Sequence, residues 1–335
     1  MNVLITGGAG FIGSHLTEFC LQRGDSVTIV DNLSTGDLSN IRHLQLEKKY
    51  RDRLVVHTGS ILNFDLMFEL ISACDVTFHL AAAVGVKYIL ENPLESIRVN
   101  IQGTEIVLNL CQKLGKKVLL TSSSEVYGKH THAPLVETDN VVYGPSSKFR
   151  WSYAASKLMD EFTALAYHRT RGLEATIVRL FNTVGPKQTG AYGMVIPRFV
   201  SQALAGNPLT VYGDGTQTRT FTYVADVITA LTGLMAEDRA IGEVFNVGGT
   251  REITVFELAE KIIDLTGSKS TIQITPYDQA FAKDFEDMQR RVPSIEKIKR
   301  LIGFEPKTDL DTILIRVIEH FQGENMSAEE KCPST

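Results

Sequence analysis

The sequence predicts an α/β fold, a doubly wound parallel sheet joined to a smaller C-terminal lobe that binds substrate. Three observations predict it. Short apolar strand-like runs alternate with amphipathic helical patterns across the first half of the 335 residues, the texture of βαβ units. A glycine-rich turn separates the first such strand from the first helix. An acid, Asp31, closes the second strand.

In chain order, Val3-Leu4-Ile5 reads as a buried strand and Phe11 to Arg23 as the helix after it. Val27 to Asp31, Leu54 to Thr58, Val76 to Leu80 and Val118 to Thr121 follow as strands with helical patterns between them. Ala175 to Arg179 and Val244 to Val247 read as later strands of the same sheet. From Gly185 onward, Gly-Pro, Gly-Asn-Pro and Gly-Asp-Gly turns cut the chain into shorter pieces. The expected division is therefore a nucleotide-binding domain over 1–184, with later sheet segments near 220–250, and an interleaved substrate lobe over 185–322. The polar stretch 323–335 is expected to be a disordered tail.

Composition narrows the function. A hydrophobic fraction of 43%, a charged fraction of 22% and a net charge of −5 fit a globular enzyme and speak against nucleic acid as a partner. Cys20, Cys74, Cys111 and Cys332 lie far apart, without metal-ligand spacing, and read as thiols of a reducing compartment. His130 and His132 lack a third ligand. Asn2 to Thr6 is too short for a signal core and no run has the length of a membrane span, so the expected location is the cytoplasm, with no membrane partner.

Gly7, Gly10 and Gly13 follow a Gly-x-x-Gly-x-x-Gly spacing, with Phe11 and Ile12 opening the helix. Glycine lets the backbone turn tightly and approach a pyrophosphate, which the helix N-terminus attracts. Asp31 stands where an acid grips ribose hydroxyls, which favours NAD over NADP, and Asn32, Ser34 and Thr35 follow it as adenosine contacts. This order of strand, glycines, helix, strand and acid is that of a Rossmann dinucleotide site. Further on, Tyr153 and Lys157 are spaced i, i+4 on one helix face. A tyrosine whose pKa is lowered by an ammonium can take the proton of a sugar hydroxyl while hydride leaves the same carbon. Ser123, at the end of a strand, would hold the reacting oxygen.

In combination these motifs resemble the extended short-chain dehydrogenase/reductase family, the nucleotide-sugar epimerases, dehydratases and decarboxylases, to about Phe321. Further matches are His79-Leu80-Ala81-Ala82, Val99-Asn100, Arg179-Leu180-Phe181-Asn182, Val211 to Gly215 and Arg219 to Asp226. The resemblance implies NAD as cofactor, held also by Ser60, Ile61, Leu80, Ala81, Ala82 and Asn100. Ser60 departs from the family, which usually has Asp there. It implies a UDP-sugar substrate met by Lys87, Tyr88, Ser124, Asn182, Arg198, Val211, Tyr212 and Arg219. It also implies a homodimer built on the helices of Asn100 to Leu114 and Tyr153 to Arg169.

The residues after Ser123 separate the chemistries of the family. Dehydratases show Asp-Glu and epimerases usually lack both acids; this chain has Ser124 and Glu125. The pair is similar to that of the UDP-glucuronic acid decarboxylases, as are Phe149-Arg150-Trp151-Ser152-Tyr153 and Arg291-Val292-Pro293-Ser294-Ile295. The resemblance implies catalytic roles for Ser123, Glu125, Tyr153, Lys157 and Arg291, and NAD-dependent decarboxylation of UDP-glucuronic acid through a 4-keto intermediate, giving UDP-xylose or the 4-keto-pentose. A 4,6-dehydratase or 4-epimerase is the alternative within the family, and a non-catalytic dinucleotide-binding protein the alternative outside it.

Overall fold

The computed structural model describes residues 1–130, 132–190, 194–280 and 288–330, and within these not the side chains of Val86, Lys87, Asp278, Ala280 and 324–330. Its centre is a seven-stranded, wholly parallel sheet. Five strands come from the first half: β1 (Asn2–Thr6), β2 (Ser26–Asp31), β3 (Leu54–Thr58), β4 (Val76–His79) and β5 (Lys117–Ser123); β6 (Ala175–Leu180) and Val244–Val247 add the last two. Their order is β3-β2-β1-β4-β5-β6 and then Val244–Val247. The order reverses between β1 and β4, and at such a switch point the carboxyl ends of the strands open a crevice for ligands.

Both sheet faces are covered, which explains the continuous apolar strands. Val3, Ile5, Val27 and Ile29 pack on one side with Leu16, Cys20 and Leu21 of the helix Phe11–Arg23. Leu4, Val30, Val118 and Leu120 pack on the other with Val107, Leu108 and Cys111. The helix Val224–Ala236 also belongs to the first layer.

The second lobe is built from small sheets. Thr218–Thr220 lies between Glu252–Thr254 and Arg290–Arg291 in one of them, and Leu209–Tyr212 pairs with Ile272–Thr275 in another. The first brings Arg219 opposite Arg291, 72 positions away in sequence.

The tail differs from expectation. The helix Leu310–Glu330 runs through Gly323 to Glu330, so at least 323–330 is helical. Its inner face, with Ile313, Leu314, Val317 and Ile318 buried, anchors it, and Met326, Ala328, Glu329 and Glu330 are good helix formers that carry it on once started. Residues 331–335 lie outside the described residues.

Candidate active site

A cleft of about 940 Å³ runs from the switch point across the carboxyl ends of the strands to the second lobe. Gly7, Gly10, Phe11, Ile12 and Gly13 line one end. Gly7 has φ +73°, and a Cβ there would lie 2.9 Å from the Ala81 nitrogen; a Cβ at Gly13 would overlap the Gly7 carbonyl oxygen. Side chains are thus excluded from the turn, and no side chain caps the helix it opens. Its first N–H groups are left for an anion. Asp31 is buried, its Oδ2 accepting from the Ala9 N–H at 3.0 Å and its Oδ1 from the Leu33 N–H at 2.9 Å. Burial pushes its carboxyl up while these backbone donors pull it back. A carboxylate has lone pairs beyond those two, so the set fits a dinucleotide with ribose hydroxyls at Asp31. Asn32, Ser34, Ile61, Leu80, Ala81 and Ala82 line the same end.

Three expected residues do not line the cleft. Ser60 closes a local turn, its hydroxyl accepting from the Leu62 N–H at 3.2 Å. Asn100 is fully buried within a π-helical segment, Val99–Gly103. Its side chain accepts from the Ala83 N–H at 2.8 Å and donates to the Ser156 hydroxyl at 3.2 Å, so it supports the Ala81–Ala83 turn from behind. Val211 points into the core, because successive strand residues face opposite ways and Tyr212 takes the cleft side. The expected role of Lys87 falls on a side chain outside the described residues.

The middle of the cleft holds the reacting groups. Ser123 ends β5, and Ser124 and Glu125 form the short turn after it. Tyr153 and Lys157 come from the helix Arg150–Arg171, which packs beside β5. This helix is pinned to β6 by a buried pair in which Arg179 Nε and Nη2 donate to Glu161 at 2.9 and 2.7 Å. The Ser122 hydroxyl also donates to Glu161, at 2.5 Å. Lys157 Nζ donates to Asp160 Oδ2 at 2.9 Å. Burial and the Glu125 carboxylate push the Tyr153 phenol up, against the Ser123 hydroxyl and Arg291, which pull it down. The net direction is the reverse of the lowering expected from Lys157, whose ammonium is engaged by Asp160.

Glu125 sits between two guanidinium groups. Arg291 Nη2 donates to its Oε1 at 2.6 Å and Arg150 Nη2 to its Oε2 at 3.4 Å, while Arg291 Nη1 reaches the Ser124 hydroxyl oxygen at 3.4 Å. Burial opposes the charge, yet Arg291 and then Arg150 hold the carboxyl below its ordinary value. Arg291 Nε is buried with no hydrogen-bond partner among the described residues. Arg150, which belongs to a motif but carried no expected role, stacks over Trp151 with 5.3 Å from guanidinium carbon to ring centroid. Its only sequence signal is its place in Phe149-Arg150-Trp151-Ser152-Tyr153.

The far end carries Tyr88, Asn182, Arg198, Tyr212 and Arg219. The Arg198 guanidinium lies 4.0 Å over the Tyr212 ring, and Asn182 Nδ2 donates to the Thr220 carbonyl at 2.8 Å. Arg219 Nη1 donates to the Met288 carbonyl at 2.8 Å. A buried arginine, Arg219, a half-buried one, Arg198, and an aromatic ring can receive a diphosphate and a flat base. Gln217, Tyr277 and His320 also line the cleft and were not expected. His130 and His132 lie away from it and meet edge to face, with ring centroids 4.3 Å apart, and no group of residues that could hold a metal exists among the described residues.

The GDP-mannose 4,6 dehydratase family model matches residues 4–317. The chain belongs to the extended short-chain dehydrogenase/reductase family. It is 43% identical to a UDP-N-acetyl-alpha-D-glucosaminuronate decarboxylase of Bacillus cytotoxicus, over 95% of this chain and 97% of that protein. It is 35% identical to UDP-glucuronic acid decarboxylase 1 of Arabidopsis thaliana, over 98% of this chain and 72% of that one. Among solved structures, the UDP-glucuronic acid 4-epimerase of Bacillus cereus, in complex with UDP-glucuronic acid and NAD, superposes with a TM-score of 0.86. It is 27% identical and covers 97% of this chain and 100% of that one. No helix among the described residues is long and apolar enough to cross a membrane.

Proposed function

We propose that this protein decarboxylates UDP-glucuronic acid through a 4-keto intermediate, with NAD held at the glycine turn and Asp31. The observation that carries the reading is Glu125 clasped by Arg291, next to Ser124 where a dehydratase carries an acid. Bound NAD supplies hydride removal from, and return to, the sugar C4. Burial and Glu125 keep the Tyr153 phenol protonated; with the positive charge of bound nicotinamide and of Lys157 offsetting them, Tyr153 would ionise and accept the C4 hydroxyl proton, with Ser123 holding that oxygen. A ketone at C4 lies β to the C6 carboxylate, so the C5–C6 bond breaks with its electrons entering an enolate and CO₂ departing. Arg291 would offset the charge that develops, and the Glu125–Arg291 pair would serve the delivery of a proton to C5. Serine at 124 is too weak an acid to expel a C6 hydroxyl, and an epimerase has no use for Glu125.

The lobe formed by 185–322 would hold the UDP portion, with Arg198 and Arg219 on the diphosphate. A second copy of the chain is proposed to dock on the helices of 99–113 and 150–171, where Met159 and Phe162 are exposed, next to the exposed Leu94 of the helix Pro93–Arg98. The cysteine usage favours work in the cytoplasm. A second reading changes only the substituent at C2. The 43% identity to the Bacillus cytotoxicus protein, against 35% for the Arabidopsis one, favours UDP-N-acetylglucosaminuronic acid as substrate.

The test is incubation with both uronates, UDP-glucose and dTDP-glucose, with product masses followed. Loss of CO₂ from UDP-glucuronic acid sustains the reading, and loss only from the N-acetylated sugar moves it to the second. Loss of water, or an isomer of unchanged mass, overturns both.

A further inference from the structure

Lys157 is backed by a buried row of polar groups that begins and ends at the cleft. Its Nζ donates to Asp160 Oδ2 at 2.9 Å, and the two side chains are only 3% and 2% exposed. Burial pushes the Asp160 carboxyl up, and Lys157, then the Thr104 hydroxyl that stands against it, favour its charged form. Thr104 Oγ1 is 3.0 Å from His79 Nε2, and His79 Nδ1 is 2.8 Å from Thr6 Oγ1. The Thr6 oxygen accepts from the Ala81 N–H at 3.1 Å, and Ala81 again lines the cleft. Thr104 is the first residue after the π-helical segment Val99–Gly103, and such segments often mark functional sites.

Chemistry fixes the direction of the row. A carboxylate only accepts, so the Thr104 proton points to Asp160 and the Thr104 oxygen accepts from His79 Nε2–H. The neutral ring then accepts at Nδ1 from Thr6. Burial, and then Lys157, push His79 down to about 3, so it stays neutral. The other charged groups facing this region are already matched. Glu161, on the same helix, is paired with Arg179, and Glu125, from the turn after β5, is paired with Arg291 and Arg150. Tyr153, one turn before Lys157, is neutral because burial and Glu125 raise it. Asp160 is the anion left to compensate Lys157.

We propose that Asp160 is a positioning residue that keeps Lys157 charged and in place through the Thr104–His79–Thr6 row. The inference rests on the reading above in one respect, that Lys157 works as an ammonium beside the cofactor ribose and Tyr153.

The test uses the full chain carrying Asp160→Asn, with Thr104→Val and Thr104→Ser beside it. NAD affinity is measured by calorimetry across pH, together with the pH profile of turnover and circular dichroism. In Asp160→Asn the ammonium is left buried without an anion and gives up its proton more readily. The alkaline limbs of NAD binding and of turnover should therefore move down by about one pH unit or more. Thr104→Val should move them in the same direction by less, and Thr104→Ser should restore them. If Asp160→Asn does not fold, Thr104→Val decides alone. A folded Asp160→Asn, or failing it a folded Thr104→Val, with both limbs where the unsubstituted protein has them overturns the proposal. Failure of the decarboxylase reading is a separate result: the unsubstituted protein then releases no CO₂ while the NAD-binding limb still reports on Asp160.

Discussion

Glu125 holds its charge through its neighbours, since burial alone would protonate it. The sign of its pH dependence follows. With the folded carboxyl below its ordinary value, the charged form survives as pH falls past the usual carboxylate range, and it is lost only lower down. Replacing Arg150, the weaker of its two hydrogen-bond partners at 3.4 Å, with Met removes part of that support. The acid limb of kcat/KM should move upward, and a profile identical to that of the unsubstituted protein would contradict the clasp. Glu125→Gln keeps the shape and removes the charge. Turnover should drop by about 10²–10⁴-fold while calorimetric NAD affinity is retained; turnover within a few fold of normal would remove Glu125 from the reaction. The sequence made Tyr153 and Lys157 legible by spacing, and Glu125 with Arg291 by resemblance. The part played by Arg150 was not legible, because it depends on how the Trp151 ring orients a guanidinium toward a turn 25 residues away. Val211 lies off the cleft for a simpler reason: it neighbours Tyr212 on a strand, and the side chains of two adjacent strand residues face opposite ways.

At the scale of elements, the helix Arg150–Arg171 does three things with three faces. Tyr153 and Lys157 address the cleft, Asp160, Glu161 and Ala164 are buried, and Ala155, Met159, Phe162 and Ala166 are exposed. Its amphipathic period was readable in the sequence. Its rotation was not, because a buried charged pair and not an apolar stripe locks it. Glu161 accepts from Arg179 at both carboxylate oxygens and from the Ser122 hydroxyl at Oε1 as well. Removing one member of such a pair leaves the other buried and uncompensated, at a cost of about 3–5 kcal/mol. Glu161→Ala should therefore lower the midpoint of denaturant unfolding clearly and, in the fraction that remains folded, weaken turnover because Tyr153 and Lys157 lose their common frame. An unchanged midpoint would show that the helix is held by packing alone. The π-helical segment before Thr104 is also invisible to periodicity. Asn100 lies in it and hydrogen-bonds the wall behind Ala83, a placement that the motif match does not reveal.

At the scale of the whole molecule, seven parallel strands deliver the reacting groups at their carboxyl ends, and the second lobe closes the cleft with arginines from a small sheet. The parallel sheet was legible because strands buried on both faces write continuous apolar runs. The small sheet was not, because its strands are two to three residues long and carry no period. The outer surface bears on assembly. Ala155, Met159, Phe162 and Ala166 recur at i, i+4, i+7 and i+11, a helical seam, and all are exposed. Phe162 is 59% exposed and Leu94, on the neighbouring helix Pro93–Arg98, 83%. A contiguous exposed apolar seam is a mark of an interaction surface, and a second copy of the same helices offers a partner of matching shape under two-fold symmetry. If that is its occupant, the protein should elute with the mass of two chains in light scattering. Phe162→Asp combined with Leu94→Asp should bring it to the mass of one, since a carboxylate buried against its own copy on the symmetry axis is unpaired. NAD affinity should survive the change, because neither residue lines the cleft. A double variant that still carries the mass of two chains would move the interface elsewhere, and an unsubstituted protein of single-chain mass would remove it.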